Sequence, residues 1–277
     1  MRIGLKRHID SLLAIYVALV FLGATIFLAL PLIITLLMAF DSRTFLGPFP
    51  PPGFSFQWFG RLWQNDYLWK GFYTSLEIAF TATAAATGVG AFAALALSRM
   101  TNRGRDLVAS IFLSPIVMPG VIIGFAMLMF FSAFQVLSPF ERLVAGHLII
   151  AIPYTIRLTL IGLMGISDNL REAALSLGAN DRQAFFTVTL PLAKNSIAAG
   201  SIFAFAFSMD DLAISLFLSD FNTYTLPVAL VGLMRASFDL TIAAAAVVLV
   251  GLTLVLLFVL DRVIGLERAI GQGIYKA

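Results

Sequence analysis

Six stretches of about twenty mainly apolar residues, separated by short polar segments, constrain this chain more than any other feature. A helix needs about 20 residues to cross roughly 30 Å of hydrocarbon. The stretches fall near 12–40, 74–98, 107–134, 143–166, 196–219 and 241–260. In lipid every backbone polar group must be satisfied internally, and uninterrupted apolar runs of this length do so as helices. The expected fold is an all-α integral membrane domain of six transmembrane helices over 12–265, with tails at 1–11 and 266–277. The first stretch is long enough to tilt or break, and Pro31 marks the expected break. Its flank of Arg2, Lys6 and Arg7 resembles a signal peptide. The apolar run is too long for one, and no small-x-small cleavage site follows, so it reads as a membrane helix.

Composition agrees: 60% of the residues are hydrophobic and 12% charged, which excludes an ordinary soluble domain. The chain has no cysteine, so disulfides and thiolate metal sites are excluded. Its net charge of +3 comes from basic residues scattered over loops, which is not the footprint of a nucleic-acid binder.

Those basic residues orient the chain. With the N-terminus inside, segments 1–11, 99–106, 167–195 and 261–277 are cytoplasmic and hold twelve of the eighteen Lys and Arg. The outer loops hold Arg43, Arg61, Lys70, Arg142 and Arg235, and Arg157 is left inside a helix. Such an excess follows the positive-inside rule and predicts an N-in, C-in topology. The first outer loop, 41–73, contains Gly47-Pro48-Phe49-Pro50-Pro51-Pro52-Gly53, which is not regular helix. Trp58, Trp63, Tyr67 and Trp69 follow it, and a short surface helix is expected near 55–70. It reads as an anchor at the membrane boundary or, less simply, as a solute site.

The cytoplasmic loop 167–195 carries the sharpest pattern, Glu172-Ala173-Ala174, then Gly178, then Leu190-Pro191. Asp168 or Asn169 can cap a short helix whose first turn holds Glu172 against the positive end of the dipole. Ala173 and Ala174 keep that helix slim, Leu175 and Leu177 offer apolar contact, and Gly178 supplies the left-handed turn that ends it. Asn180 or Asp181 can cap a second short helix, with Pro191 opening the fifth crossing. Such a hairpin can transmit force as a lever. It can also be an ordinary amphipathic connection.

The spacing of Glu172, Ala173, Ala174, Gly178 and Leu190-Pro191 resembles the EAA loop of ABC importer permeases, with Val188 where isoleucine is more usual. Ser75-Leu76, Ala96-Leu97-Ser98-Arg99, the run from Ser114 through Pro115 and Pro119 to Gly120, and Thr225-Leu226-Pro227 extend the resemblance over roughly 70–265. Ser208-Met209-Asp210-Asp211-Leu212 is similar to the Ser-Leu-Asp-Asp of the polyamine-type branch, with Met for Leu. The resemblance implies a type I importer permease fold in the bacterial inner membrane, with Glu172, Ala173, Ala174, Leu175, Gly178, Leu190 and Pro191 meeting the ATPase. It implies two ATPase subunits, a second, homologous but different permease chain, and a periplasmic solute-binding protein. This chain would carry no cofactor, ATP and Mg belonging to the ATPase, and it would not itself be an enzyme. The implied cargo is a small cation of polyamine type, such as putrescine or spermidine. Carriers of amino acid derivatives, opines or aminophosphonates are the alternative within this branch.

Asp210 and Asp211 lie near the middle of the fifth stretch. A charge at that depth costs about 2.5–3.5 kcal/mol on insertion scales, so water, a partner or a solute cation must offset it. Neighbouring helical residues point about 100° apart, so the two need not share a role. One of them, Asp210 in the first instance, can line the pathway, or both can pair with Arg157. Glu77 is shallower and a further pathway candidate, and Tyr154, Phe221 and Tyr224 can stack on a cation. The prolines and glycines at 115, 119, 120, 124 and 153 can bend helices or allow close packing. No phosphate-binding Gly-x-x-x-x-Gly-Lys-Ser/Thr loop is present, and His8 and His147 are too far apart for a helical metal pair. Adjacent aspartates do not make a protease dyad, which needs carboxylates from separate elements. A secondary transporter driven by an ion gradient remains as a rival; it would be expected to show inverted repeats, and none is visible.

Overall fold

A computed structural model describes residues 2–100 and 103–264, with side chains for 12–100, 104–255, 258 and 262. The expected tail at 266–277, and the side chains of 1–11, lie outside the described residues. The helices are α1 (Arg2–Ala39), α2 (Gln57–Trp63), α3 (Asp66–Arg99), α4 (Arg103–Leu113), α5 (Gly120–Phe134) and α6 (Pro139–Met164). Then come α7 (Asp168–Ser176), α8 (Asp181–Ala184), α9 (Leu190–Asp210), α10 (Ser215–Leu218), α11 (Leu226–Ala236) and α12 (Thr241–Ile264). The chain divides into two compact units, one of 1–65 with 233–251 and one of 66–232 with 252–277.

Among the described residues four helices are long and apolar enough to cross a membrane. They are Leu12–Ala39, Asp66–Arg99, Pro139–Met164 and Asp181–Asp210. Three expectations are corrected. The third stretch is not one helix: α4 and α5 meet at 95° across Val117–Pro119. Pro119 has no N–H to continue a ladder and disfavours helical geometry in Met118 before it. The fifth stretch begins earlier, since α8 runs into α9 through a π-helical turn at Phe185–Thr189. Pro191 leaves the Thr187 carbonyl without its usual donor, and the wider turn accommodates the ring. The first stretch does not break at Pro31, because α1 continues through it. A break would leave further backbone groups unsatisfied in hydrocarbon, whereas the proline forfeits a single bond.

In the first unit the loop after α1 folds around Asp41. Its carboxylate is buried and receives the Arg43 backbone N–H at 2.9 Å and Arg43 Nε at 2.9 Å. Its carbonyl accepts from Trp58 Nε1 at 2.9 Å and Gln57 Nε2 at 3.1 Å. Trp58 is thus wholly buried as the loop's core, with Arg61 stacked over its ring at 4.5 Å. The surface helix expected near 55–70 is interrupted: α2 ends at Trp63 and α3 begins at Asp66, whose acid favours a new helix start. Trp63 is 70% exposed, whereas Trp58 is buried and does not serve as a boundary anchor.

Arg43 hydrogen bonding holds the Asp41 carboxyl below its ordinary value of 3.8. The folded pKa is depressed, so this pair stabilises the loop fully above pH 3.8 and ceases to do so as pH falls through the lower folded value. Proteolysis of the 41–56 segment is expected to be slow above pH 3.8 and to accelerate as pH falls through the lower folded value. An acid-stable protease such as pepsin, corrected for its own pH profile, reads this out. A flat rate across that range would remove the Asp41–Arg43 pair from the loop's stability.

In the second unit α3, α6 and α9 pack closely through small residues. Ala86, Ala151 and Ala204 form a buried cluster, and Thr87 Oγ1 donates to Ser201 Oγ at 2.8 Å. Thr155 Oγ1 bonds the carbonyls of Ala86 and Ile152 at 2.9 and 2.8 Å. Pro153 lies inside α6 without ending it. The short helix α10 sits in a groove cut by two glycines: a Cβ at Gly124 would meet Ile214 Cα at 3.0 Å, and one at Gly146 would meet Ile214 Cγ2 at 2.6 Å. Gly124 thus serves packing, while Pro115 and Pro119 flank the bend after α4. Ile214 and Leu218 complete a cluster with Ile78, Ile123, Phe131 and Leu143.

Candidate functional site

Two regions carry the residues singled out from sequence, and both lie in the second unit. The first is the polar hairpin. Ser167, rather than Asp168 or Asn169, occupies the position before α7, and Asp168 is its first residue. Glu172 and Ala173 are exposed, and Ala174 and Leu175 are half-buried. Gly178 has φ +92°, the left-handed region open to glycine. Its N–H donates to the Leu175 carbonyl at 3.0 Å and the next N–H, of Ala179, reaches back to Ala174 at 3.1 Å. Those two bonds are a Schellman closure, which satisfies carbonyls the helix end would leave bare.

Two residues later Asn180 caps α8 in a reciprocal box with Gln183, both bonds at 2.9 Å. An ion pair between Arg171 and Asp181 ties the two short helices across the turn. The hairpin is therefore stiff. Its most exposed apolar side chain is Leu177, at 89%, next to the turn and available to a partner. Leu190 and Pro191 open α9 directly after the π-helical turn.

The second region is the end of α9. The helix stops at Asp210, and Asp211 takes an extended conformation with φ −67° and ψ 117°. The two carboxylates then part company. Asp210 is exposed. Asp211, its side chain 10% exposed, turns onto the next segment and accepts from the N–H groups of Ile214 and Ser215 at 3.2 and 2.9 Å and from Ser215 Oγ at 3.0 Å. It is a helix cap for α10. Among the described residues no ion pair joins Arg157 to either aspartate. Tyr154 stacks on Phe207 with centroids 4.2 Å apart. His147 is level with Ser208 on the antiparallel α9, so Arg157, ten residues further along α6, lies about 18 Å from Asp210 along the axes.

Tyr154 meets α9 at the Phe207 ring, and Phe207 lies about one turn before Asp210. Phe80 of α3 contacts Phe205 of α9 at 4.9 Å, which puts exposed Glu77 toward the same end of the bundle without joining it to Asp210. Tyr224 is stacked on Tyr67 at 4.6 Å and faced by Lys70 Nζ at 5.7 Å, so its ring already has a cation. Phe221 is fully exposed. Two sequence fragments about 150 residues apart meet here: Ser75 Oγ accepts the N–H of Leu226 at 2.9 Å, at the start of α11. The residue that sequence reading passes over is His147. It is wholly buried between Ser208 and Ser215. The available signal is that a lone histidine on an apolar helix must find partners.

An all-helical chain with long apolar helices, a braced polar hairpin and an acid-bearing helix break is a membrane permease subunit. Residues 86–266 match the family of binding-protein-dependent transport system inner membrane components, and the chain belongs to that family. It is an ABC importer permease of the inner membrane. It is 30% identical to the spermidine/putrescine transport system permease protein PotC of Haemophilus influenzae, over 74% of this chain and 79% of that one. It is 32% identical to the putrescine transport system permease protein PotI of Escherichia coli, over 85% of each. In fold it is similar to the bacterial alginate ABC transporter solved with its alginate pentasaccharide-bound periplasmic protein. There the TM-score is 0.70 at 18% identity, covering 91% of this chain and 93% of that one.

Proposed function

We propose that this chain is the permease through which an ATP-driven importer passes a small polyamine of putrescine or spermidine type. Two separate ATPase chains bind ATP and Mg and grip residues 172–191. A second permease chain completes the pore, and a periplasmic binding protein delivers cargo. The topology is six crossings with both ends inside, the bent α4–α5 pair counting as one. The observation that carries the reading is Asp210, an exposed carboxylate ending α9 one turn beyond the Tyr154–Phe207 stack. A carboxylate beside aromatic faces is the chemistry that receives an ammonium group. Relatives whose names specify spermidine and putrescine favour the same substrate class. ATP-driven closure pushes the stiff hairpin and turns the pore outward, and resetting opens it inward past Asp210, with Glu77 a further acidic group along the way.

The test is uptake of labelled putrescine and spermidine by cells with and without this chain, alongside Asp210→Asn. Deletion is expected to abolish uptake. Asp210→Asn is expected to lower it about fivefold at an unchanged membrane level, the scale of one charge-assisted contact. Unchanged uptake on deletion, with no second system active, would keep the family and discard the substrate.

A further inference from the structure

His147 is wholly buried in α6, and both of its ring nitrogens are engaged. Nδ1 lies 2.6 Å from Ser208 Oγ on the last turn of α9. Nε2 lies 2.9 Å from Ser215 Oγ, the first residue of α10, and 3.9 Å from Asp211 Oδ2. The direction of each bond follows from the far end. A carboxylate is an acceptor, so Ser215 Oγ donates its one proton to Asp211 at 3.0 Å. Ser215 Oγ must then accept from the ring, and Nε2 carries the imidazole proton. Neutral imidazole leaves Nδ1 as acceptor, and Ser208 Oγ donates to it. The bonds run one way, from Ser208 to His147 to Ser215 to Asp211.

One imidazole therefore braces the two sides of the break after α9. On one side is Ser208, two residues before Asp210. On the other are Ser215 and the carboxylate that caps α10. We propose that His147 is a positioning residue for the pathway carboxylate: through Ser215 and Asp211 it holds the break that ends α9 at Asp210 and leaves that side chain open. This rests on the reading of Asp210 as a pathway group. Asp211 does not share that role, because its carboxylate is turned onto α10, with Oδ2 accepting from Ile214 and Ser215.

Asparagine and glutamine separate the two halves of the brace. Asn places its polar atoms where Nδ1 lies, so His147→Asn keeps the Ser208 side only. Gln reaches the place of Nε2, so His147→Gln keeps the donor to Ser215. The experiment is labelled putrescine uptake by cells carrying the full chain and its partners, at matched membrane levels. His147→Asn and Ser215→Ala are each expected to lower uptake about fivefold, and His147→Gln to stay within about twofold of the original. The double variant His147→Asn with Asp210→Asn is expected to fall no lower than Asp210→Asn alone, because residues acting through one group are not additive. Ser215→Ala cuts the same link and carries the test if His147→Asn is missing from the membrane. Normal uptake in both single variants, or losses that multiply in the double variant, would overturn the positioning role while leaving the pathway reading in place. Normal uptake in Asp210→Asn would overturn the pathway reading and this proposal with it.

Discussion

Gly178→Val is expected to lower uptake by about thirtyfold or more while the chain remains in the membrane at its normal level. Gly178 holds φ +92°, and a Cβ there would meet nothing within 4 Å. The effect is therefore one of backbone conformation and not of collision. A left-handed residue other than glycine costs about 1–2 kcal/mol, and a β-branched one more. Abandoning that conformation forfeits the bonds from Gly178 to Leu175 and from Ala179 to Ala174. Either way the cost is about 2 kcal/mol, enough to shift the hairpin equilibrium about thirtyfold. On the proposal that residues 172–191 are pushed by the ATPase, the assembled importer in proteoliposomes should keep hydrolysing ATP while uptake falls. Glu172 is the fifth residue of α7, beyond the first turn expected for it, and exposed; Glu172→Lys, which reverses the charge offered there to the ATPase, should uncouple in the same direction. Normal uptake in both variants would sink the lever assignment.

Gly90→Val is expected to prevent the second unit from packing, with little monodisperse chain recovered after extraction. A Cβ at Gly90 would lie 1.9 Å from Thr155 Oγ1, 2.7 Å from Thr155 Cβ and 3.2 Å from the Ile156 backbone nitrogen. Thr155 cannot retreat, because Gly200 of α9 closes the other side, its own Cβ position only 3.2 Å from Thr155 Cα. Swinging the hydroxyl away breaks its bond to the Ala86 carbonyl. Overpacking with loss of a buried bond comes to about 3 kcal/mol or more. Gly88, two residues earlier, faces open space, and Gly88→Val is the matched control expected to fold normally. Equal recovery of the two variants would mean that α3 and α6 are not held together at this contact.

Much of this is readable in the chain itself, and some of it is not. Gly178 is legible because a turn that closes a short helix needs a residue tolerant of positive φ. Asn180 is legible because an amide oxygen before a helix start has an N–H to accept from. The fragments at Ser75 and Thr225-Leu226-Pro227 are visible as motifs, but that the Ser75 hydroxyl takes the Leu226 N–H is visible only in three dimensions. The bend after α4 is hidden because hydropathy is a running sum, and Val117-Met118-Pro119 is as apolar as what flanks it. Asp210 and Asp211 look like one acidic pair in the chain. In space one is exposed and the other caps a helix.

What the sequence determined alone is everything that depends on neighbours along the chain. Hydrocarbon requires continuous apolar runs, dipoles require acids at helix starts, and tight turns require glycine, so membrane class, basic-loop bias and hairpin were all written locally. What only the tertiary structure decided is where chain-distant groups settle their polar needs. His147, Ser208, Ser215 and Asp211 are individually costly to bury and are satisfied only by one another. Because Asp211 is drawn into that set, Asp210 is the carboxylate left open.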